Sequence, residues 1–341
     1  MKIAFFELAE WEKKYFEKEF VNSFEVFFSD KPLSKDTVEP IKDIEMLVVF
    51  IHSYINKEIL DQLPNIKFIT TMSTGFDHID MVECGNRNIT VCNVPTYGET
   101  VVAEHAFALL LAISRRLIES VERVKSGNFS PSGLTGFELK GKTLGVIGVG
   151  SIGTNVIRIA RGFGMNAIVY KRTPDYALEK ELGCKFVELP VLYQQSDIIS
   201  LHIPYSKETH HYIGEEQFNM MRDGVVIINT ARGALIDSMA LLKALESGKV
   251  KSAGLDVLEE EPLLEEEKDL LSLSFEKDKL MAILEDHMLV KHPNVIVTPH
   301  NAFNSNEALH KIVETTHQNL TGFMNSTPLN VVPAPKEEHH S

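Results

Sequence analysis

The sequence has few cysteines, and that shortage argues against the protein classes that depend on them. There are 3 cysteines in 341 residues, and Cys84, Cys92 and Cys184 form neither a CxxC pair nor the spacing of a metal-ligand set. We therefore expect no metal site and no disulfide framework. An odd number of cysteines is typical of a reducing compartment, so the protein is predicted to be cytoplasmic.

Positive charge is also scarce. The chain carries 34 lysines and arginines against 48 aspartates and glutamates, and its formal net charge is −14. Such a charge is repelled by a nucleic-acid backbone and by an anionic lipid surface. No apolar run approaches the length of a membrane span, and residues 1–16 lack the uninterrupted apolar core of a signal peptide. We expect neither a nucleic acid nor a membrane as a partner.

Short apolar runs alternate with amphipathic runs along the chain, and this alternation occurs twice. It covers residues 1–97 and restarts at Lys142. Strands that alternate with helices predict a parallel sheet with right-handed crossover connections. Because 341 residues are too many for one ordinary core, we predict an α/β fold with two domains. Each domain is predicted to be a parallel sheet flanked by helices.

Helical segments define the predicted domain boundaries. One continuous helix, apolar on most faces and therefore buried, is predicted over Thr100–Lys125. A helical insertion is predicted over Glu265–Met288, and a last amphipathic helix over Glu307–Met324. We expect this last helix to return to the first domain, which makes that domain discontinuous. The first domain is therefore predicted to comprise residues 1–97 with about 304–341, and the second residues 98–303.

The stretch Thr143–Gly153 has the pattern of a dinucleotide-binding turn. An apolar run, Leu144–Ile147, leads into Gly148-x-Gly150-x-x-Gly153, and an amphipathic run follows. In such a strand-turn-helix the first glycine permits the turn and the second lets a pyrophosphate approach the backbone. The third lets helix and strand pack closely. Since the start of the helix also attracts anions through its N–H groups and dipole, we predict a Rossmann dinucleotide-binding domain.

Candidates for chemistry follow two later strands. Arg232 directly follows an apolar strand, so it lies at the carboxyl edge of a parallel sheet, where ligands bind. Its guanidinium can bind a carboxylate and polarise a carbonyl. His300 also follows a strand and can exchange a proton near neutral pH. A carboxylate beside His300 would favour its protonated form, and the residues alone leave Glu259, Glu260 and Glu261 as candidates.

The order of the motifs resembles the D-isomer-specific 2-hydroxyacid dehydrogenase family, and the resemblance covers nearly the whole chain. It implies a flavodoxin-like substrate domain, a Rossmann dinucleotide-binding domain and a homodimer. The motifs, in chain order, are an SxGFDHID-like run at Ser73–Asp80, AEH at Ala103–His105, the glycine turn, NTARG at Asn229–Gly233, GLDVxEEEP at Gly254–Pro262 and TPH at Thr298–His300.

The resemblance implies an enzyme that transfers a hydride between NAD(P)H and C2 of a small 2-oxo acid. Arg232, Glu261 and His300 match the catalytic set of the family. In that set the arginine binds the substrate carboxylate, and the histidine, held by the glutamate, donates a proton. The implied substrate contacts are Thr74, Gly75, Phe76, Tyr97 and Phe303. The implied cofactor contacts are Val102, Gly148, Gly150, Ser151, Ile152, Gly153, Lys171, Arg172, Pro204, Thr209, Thr230, Ala231 and Asp256.

The cofactor preference depends on two cations. Lys171 and Arg172 follow the second strand of the dinucleotide-binding domain, where NAD-preferring members of the family carry an aspartate. A carboxylate there would accept a hydrogen bond from the ribose 2′-hydroxyl and repel a 2′-phosphate, whereas two cations can bind that phosphate. We therefore favour NADP(H) over NAD(H) by a modest margin.

Within the family the chain resembles the D-lactate dehydrogenases, which act on pyruvate and D-lactate. A glyoxylate or hydroxypyruvate reductase is an alternative, because it shares the catalytic set. An NAD(H)-sensing corepressor shares the fold, although the complete catalytic set and the acidic charge disfavour it. A D-3-phosphoglycerate dehydrogenase is disfavoured because Ser73–Asp80 contains no lysine or arginine.

Overall fold

Two compact units make up the chain in the computed structural model, which describes residues 1–259 and 277–333. Unit 1 comprises Met1–Tyr97 and Ser305–Ser341, and unit 2 comprises Gly98–Asn304. In each unit the named strands form a parallel sheet with helices between them. The α/β fold class predicted from the alternation of strands and helices is therefore confirmed.

The sheet of unit 1 has the strand order β2-β1-β3-β4-β5, which is a doubly wound order of the flavodoxin type. The order reverses between β1 and β3. The strands are β1 (Lys2–Phe5), β2 (Glu25–Phe28), β3 (Met46–Val49), β4 (Phe68–Thr71) and β5 (Thr90–Cys92). The helices are α1 (Glu10–Phe20), α2 (Lys57–Leu60), α3 (Met81–Asn86) and, late in the chain, α12 (Asn306–Met324).

A polar side chain ends β1 earlier than the apolar run predicts. The run extends to Leu8, but β1 ends at Phe5, and Glu7 follows with a left-handed φ of 61°. The Glu7 carboxylate accepts hydrogen bonds from the backbone N–H groups of Phe50 and His52. The Glu7 side chain thus accepts hydrogen bonds from the backbone that follows β3. The chain after β1 turns away from the sheet at its carboxyl edge.

Helix α12 completes unit 1 from the far end of the chain. Its Asn319 is fully buried, and the side-chain amide donates a hydrogen bond to the hydroxyl of Thr70 in β4. Phe16 of α1 is buried, as its apolar position predicts. Trp11 of the same helix is 37% exposed and stacks on His310 of α12. The indole therefore covers the helix surface instead of entering the core.

The sheet of unit 2 has the strand order β12-β11-β10-β9-β6-β7-β8. Its order reverses between β6 and β9, and such a reversal is where open parallel sheets bind dinucleotides. The strands are β6 (Thr143–Ile147), β7 (Asn166–Tyr170), β8 (Lys185–Phe186), β9 (Ile198–Leu201), β10 (Val225–Asn229), β11 (Val250–Leu255) and β12 (Val295–Val297). The helices are α4 (Val101–Arg115), α5 (Leu117–Lys125), α6 (Ser151–Gly162), α7 (Tyr176–Leu182), α8 (Leu189–Gln195), α9 (Glu215–Met220), α10 (Ser238–Glu246) and α11 (Lys277–Lys291).

Apolar side chains cover both faces of this sheet. In β10, Ile227 packs into a core on one face, while Val226 and Ile228 pack into a second core on the other face. Every residue of β10 is buried. A strand buried on both faces is apolar without alternation, which is why the pattern Val225–Asn229 predicts a strand of this sheet.

The helix predicted over Thr100–Lys125 is wrong as one element. Arg116 adopts a left-handed conformation, with φ 50° and ψ 44°, and separates α4 from α5. The backbone N–H of Phe137 donates a hydrogen bond to the carbonyl of Ser114, so a loop caps the end of α4. Seven of the 15 residues of α4 are buried, whereas no residue of α5 is. Within the described residues, no helix is both long enough and apolar enough to cross a membrane.

The helical insertion predicted over Glu265–Met288 is present in part. Helix α11 covers Lys277–Lys291, and residues 260–276 lie outside the described residues. Asp286 of α11 is fully buried and accepts a hydrogen bond from the hydroxyl of Ser238 at the start of α10. This contact attaches α11 to the rest of unit 2.

Candidate active site

The glycine turn after β6 has the geometry that its sequence predicts. Gly148 has a φ of 98°, which favours glycine. A Cβ on Gly153 would lie 2.1 Å from the carbonyl oxygen of Gly148, whereas a Cβ on Gly150 would meet no atom within 4 Å. The first glycine therefore makes the turn, the second leaves the backbone accessible, and the third lets α6 pack against the turn.

The start of α6 is suited to an anion. Gly150 is the residue before the helix, and Ser151 and Ile152 begin it. The first turn carries no acidic side chain, so its N–H groups and the positive end of the helix dipole meet no competing carboxylate there. The turn and the helix together fit the pyrophosphate of a dinucleotide.

The strand ends of unit 2 bring the candidate catalytic residues to one edge. In the register of the sheet, Asn229 of β10 lies beside Leu255 of β11, which lies beside Val297 of β12. Arg232 follows Asn229 by three residues, and His300 follows Val297 by three residues. Neighbouring strands are about 4.8 Å apart. The loops that carry the two residues therefore start about 10 Å apart on the same edge of the sheet.

Backbone hydrogen bonds tie these strand ends together. The N–H of Asp256 donates to the carbonyl of Asn229, and the N–H of His300 donates to the carbonyl of Asp256, each at 2.9 Å. The side-chain amide of Asn229 donates to the carbonyl of Arg232. The loops that carry Arg232 and His300 are thus joined through Asp256 and Asn229.

The loop of Arg232 is held close to the chain that follows β11. Arg232 is half-buried, and its Nη1 donates to the carbonyl of Ala231 at 2.8 Å. A Cβ on Gly233 would lie 1.9 Å from the carbonyl oxygen of Leu258. Glycine is therefore required beside the arginine, because two stretches of backbone are in direct contact there.

Asp256 organises the loop of His300. Its carboxylate is 1% exposed and accepts hydrogen bonds from the Thr298 hydroxyl at 2.5 Å and from the N–H groups of Asn301 and Ala302 at 3.1 and 2.8 Å. Burial opposes ionisation of Asp256, but the hydrogen bonds from His105, Thr298 and the Ala302 N–H outweigh it and hold the pKa of the carboxyl below its usual value. The carboxylate thus bonds to the His300 loop, and its predicted contact with the cofactor stays a prediction.

Sequence reasoning missed the part that His105 plays in this network. Its Nε2 lies 3.0 Å from the Thr298 hydroxyl and 3.3 Å from the Asp256 carboxylate. Histidines without a position at a strand end are interpreted by default as ordinary structural residues, and His105 lies in α4. The AEH motif was the available signal, but only the fold brings α4 beside the end of β12.

Two buried oxygens of this edge lack a partner among the described residues. They are the hydroxyl of Thr230, directly after β10, and the side-chain oxygen of Asn301, directly after His300. Buried polar atoms are normally hydrogen-bonded, so both oxygens are candidates for a hydrogen bond to a bound polar ligand. A nicotinamide nucleotide, with its ribose hydroxyls and amide, supplies such groups.

The remaining predicted cofactor contacts lie at several positions of unit 2. Lys171 and Arg172 are exposed and directly follow β7. Pro204 is exposed after β9, and the hydroxyl of Thr209 donates to its carbonyl at 3.0 Å. Val102 is buried in the first turn of α4. The hydroxyl of Thr209 is thus used within its own turn.

The predicted substrate contacts divide between the two units. In unit 1, Thr74 follows β4, and its hydroxyl donates to the carbonyl of Val94 at 2.8 Å. Ser73 donates to the carbonyl of Gly75 at 2.6 Å, so side chains shape this turn. Phe76 is exposed, and Tyr97 is half-buried at the end of the first segment of unit 1. In unit 2, Phe303 is half-buried after the His300 loop.

The third residue of the predicted catalytic set, Glu261, lies outside the described residues. Among its two alternatives, Glu260 also lies outside them. Glu259 is described, and its carboxylate accepts a hydrogen bond of 2.8 Å from His211. The assignment of Glu261 therefore stays a prediction.

Comparisons with known proteins agree with this geometry. A family model described as "D-isomer specific 2-hydroxyacid dehydrogenase, NAD binding domain" matches residues 107–302. The chain is also 38% identical to a D-lactate dehydrogenase of Escherichia coli over 329 residues, which are 94% of this chain and 96% of that one. The chain belongs to the D-isomer-specific 2-hydroxyacid dehydrogenase family. The resemblance seen in its motifs is confirmed.

Further relatives support the assignment to this family. The chain is 38% identical to a glyoxylate reductase of Thermococcus litoralis over 293 residues, 84% of this chain and 82% of that one. It also resembles the solved D-lactate dehydrogenase of Aquifex aeolicus in complex with NAD and lactic acid, with a TM-score of 0.88 and 36% identity over 98% of this chain and 100% of that one. The protein is a 2-hydroxyacid dehydrogenase, an oxidoreductase with a nicotinamide cofactor. These relatives lend no support to the corepressor alternative.

Proposed function

We propose that this dehydrogenase reduces pyruvate to D-lactate and catalyses the reverse reaction. The observation that carries the proposal is the hydrogen-bonded connection from Asn229 through Asp256 to His300, which joins the Arg232 loop to the His300 loop at one sheet edge. The similarity to D-lactate dehydrogenases at 38% and 36% identity supports it. A guanidinium and an imidazole at one edge suit a substrate that has a carboxylate beside a carbonyl.

In the proposed mechanism, the cofactor carries the hydride and the side chains of the protein carry out the other parts of the reaction. A bound nicotinamide cofactor supplies and accepts the hydride. Arg232 binds the carboxylate of the 2-oxo acid through two parallel hydrogen bonds and polarises the neighbouring carbonyl. His300, in its protonated form, donates a proton to the carbonyl oxygen as C2 is reduced, so the product is a 2-hydroxy acid. Glu261 favours the protonated imidazole. The two cationic groups balance the negative charge that develops on the oxygen.

A panel of 2-oxo acids tests the substrate. We expect the highest kcat/KM for pyruvate, compared with glyoxylate, hydroxypyruvate and branched 2-oxo acids, and the D isomer of lactate as the product on chiral chromatography. A preference for glyoxylate or hydroxypyruvate would favour the alternative reductase, which the Thermococcus litoralis relative supports. Failure to reduce any 2-oxo acid would overturn the proposed function.

The individual contacts of the substrate and the cofactor are part of the proposal. The glycine turn, Gly148–Gly153, suits the pyrophosphate. The hydroxyl of Thr230, which has no hydrogen-bond partner within residues 1–259 and 277–333, suits a polar group of the nicotinamide nucleotide. Among the family-derived contacts, Thr74–Phe76, Tyr97 and Phe303 stay predictions. They are the residues expected to shape the preference among 2-oxo acids.

The proposed cofactor preference is for NADP(H) by a modest margin. Lys171 and Arg172 are both exposed beyond β7, where the adenosine ribose binds in this fold. Neither position carries the carboxylate that would repel a 2′-phosphate. The competing possibility is that backbone contacts hold NAD(H) adequately, and the Aquifex aeolicus relative binds NAD.

The proposed assembly is a homodimer, and α5 supports it. Leu117, Val121 and Val124 recur at helical spacing and form an apolar stripe, and all three are exposed. Phe129, just after α5, is 79% exposed. An amphipathic helix with no buried residue indicates an apolar surface that a second copy of the chain can cover.

The three cysteines are free and buried, which supports the cytoplasmic location predicted from the composition.

A further inference from the structure

A backbone connection joins His211 to the stretch that follows Arg232. The N–H of His211 donates to the carbonyl of Ala234 at 2.8 Å, and the N–H of Ile213 donates to the carbonyl of Leu235 at 3.0 Å. His211 itself has a left-handed φ of 49°. Such a conformation is uncommon for a residue with a side chain, and here it turns the chain against the Arg232 loop.

The side chain of His211 reaches a third segment. Its Nε2 lies 2.8 Å from a carboxylate oxygen of Glu259, whose side chain is only 15% exposed. Glu259 precedes Glu261 by two residues. The backbone at Leu258, one residue earlier, is in direct contact with Gly233. The Arg232 loop and the start of the segment that carries Glu261 thus meet, and His211 bonds to both.

A shared metal ion does not explain this cluster as well as a hydrogen bond does. His210, His211 and Glu259 have potential ligand atoms within 4.8 Å of one another. The two imidazole rings, however, are stacked, with centroids 3.9 Å apart and planes 21° apart. A metal bound about 2.1 Å from a ring nitrogen, in the plane of one ring, lies well out of the plane of the other. The cluster is therefore better described as the bonded pair of His211 and Glu259.

We propose that His211 is a positioning residue for the reaction. Its hydrogen bond to Glu259 holds the start of the segment that carries Glu261 against the Arg232 loop. The proposal rests on the proposed function, because Arg232 is there the residue that binds the substrate carboxylate. His211 is not expected to touch the substrate. Its effect is to keep the Arg232 loop in register with the chain that follows β11, since small displacements of catalytic groups are costly.

Substitutions at His211 and its neighbour test the proposal. In His211→Ala we expect kcat for pyruvate reduction to fall about 10- to 100-fold, with the KM for the reduced cofactor little changed. His211→Gln should recover most of the loss, because its amide can still donate to Glu259. Both substitutions meet the same left-handed backbone, so the comparison isolates the hydrogen bond. The control is His210→Ala, which removes the stacked neighbour and should leave kcat near the wild-type value.

A double substitution checks that Glu259 is the partner. Glu259→Ala should reduce kcat, and adding His211→Ala to it should cause little further loss, because both substitutions remove the same hydrogen bond. Additive losses would overturn the proposal. So would a His211→Gln enzyme as impaired as His211→Ala, or a His210→Ala enzyme with the same defect.

A measurement without turnover separates this proposal from the proposed function. We expect hydrogen exchange to rise in peptides that cover residues 255–259 in His211→Ala but not in His210→Ala, because only the first variant loses the bond to Glu259. Unchanged exchange in His211→Ala would overturn the anchoring of this segment. A wild-type enzyme that reduces no 2-oxo acid would instead overturn the proposed function, and the exchange result would still decide the anchoring.

Discussion

Backbone hydrogen bonds join the loops that place Arg232 and His300 at one edge of the sheet. Each follows a strand of the same sheet by three residues, and Asp256 links the two strand ends. The left-handed φ of 47° at His300 is held by bonds from its N–H to the carbonyls of Asp256 and Thr298. A strained residue at a strand end is a common feature of functional sites.

Removal of either cationic group should impair the chemical step. We expect His300→Ala and Arg232→Ala each to lower kcat/KM for pyruvate by about 10²- to 10⁴-fold, the usual cost of losing an acid catalyst or a preorganised charge. Steady-state kinetics with a saturating cofactor measure this effect. Cofactor binding, followed by fluorescence of the reduced nicotinamide, should persist in both variants. Near-normal kinetics in either variant would remove that residue from the mechanism.

The proposed preference for NADP(H) can also be tested at single residues. In Arg172→Ala we expect the KM for NADPH to rise while kcat changes little, because a remote phosphate contact is shared by the ground state and the transition state. The ratio of kcat/KM for NADPH to that for NADH should fall, and higher salt should narrow it in the wild type. Lys180→Ala, an exposed cation in α7, is the matched control. A clear NADH preference in the wild type would contradict the proposal.

At the scale of elements, the ends of β11 and β12 act as one structure. The Asp256 carboxylate after β11 accepts bonds from Thr298, Asn301 and Ala302 after β12. His105 adds a contact from α4. The loop of His300 is thus supported by a neighbouring strand and a helix, and it depends on an ionised carboxylate for its shape.

The Asp256 carboxylate should therefore make stability depend on pH. Its pKa in the folded protein is below the usual value, so its contribution is present above the unfolded pKa of about 3.9 and is lost as pH falls through the folded pKa. We expect Asp256→Asn to lower the free energy of unfolding at pH 7 by about 1–3 kcal/mol. Calorimetry at pH 7 and at acidic pH measures this difference.

The difference between Asp256→Asn and the wild type should shrink at acidic pH, where the carboxyl also becomes neutral. Asp223→Asn, at an aspartate whose side chain is 90% exposed, is the control and should leave the unfolding temperature close to the wild-type value. An equal deficit for Asp256→Asn at both pH values would show that the carboxylate charge is not what stabilises the loop.

At the scale of the whole molecule, the exposed apolar surface of α5 bears on how many chains form the enzyme. Helix α5 was predicted to be the buried continuation of α4, but its apolar side chains are exposed in the single chain. Burial of apolar surface drives association as it drives folding. Both the exposure of α5 and the expectation of its burial are accounted for if a second copy covers it.

A charge within the α5 stripe should weaken the dimer. We expect the wild type to have twice the chain mass of 38.3 kDa in light scattering coupled to size exclusion. Val121→Glu should shift the equilibrium toward the single chain, because a carboxylate would have to be buried in an apolar interface. Glu122→Gln, on an exposed side chain next to it, should remain dimeric. A wild type that is monomeric at micromolar concentration would contradict the homodimer.

The sequence by itself determined the fold class and the identity of the family. The apolar runs predict the strands of both sheets because buried parallel strands are continuously apolar. The glycine turn could be interpreted position by position, because each glycine answers to a local constraint: a positive φ at Gly148, open space at Gly150 and close packing at Gly153. Such constraints depend on short stretches of chain and are therefore visible in the sequence.

Tertiary structure alone decided which distant residues support the site. His105 and Asp256 are far apart in the chain, and so are His211 and Glu259, yet each pair is in contact. The break at Arg116 likewise depends on a loop that returns to cap Ser114. Local patterns contain no information about such contacts, because the free energy that favours them comes from packing between segments that meet only after the sheet has formed.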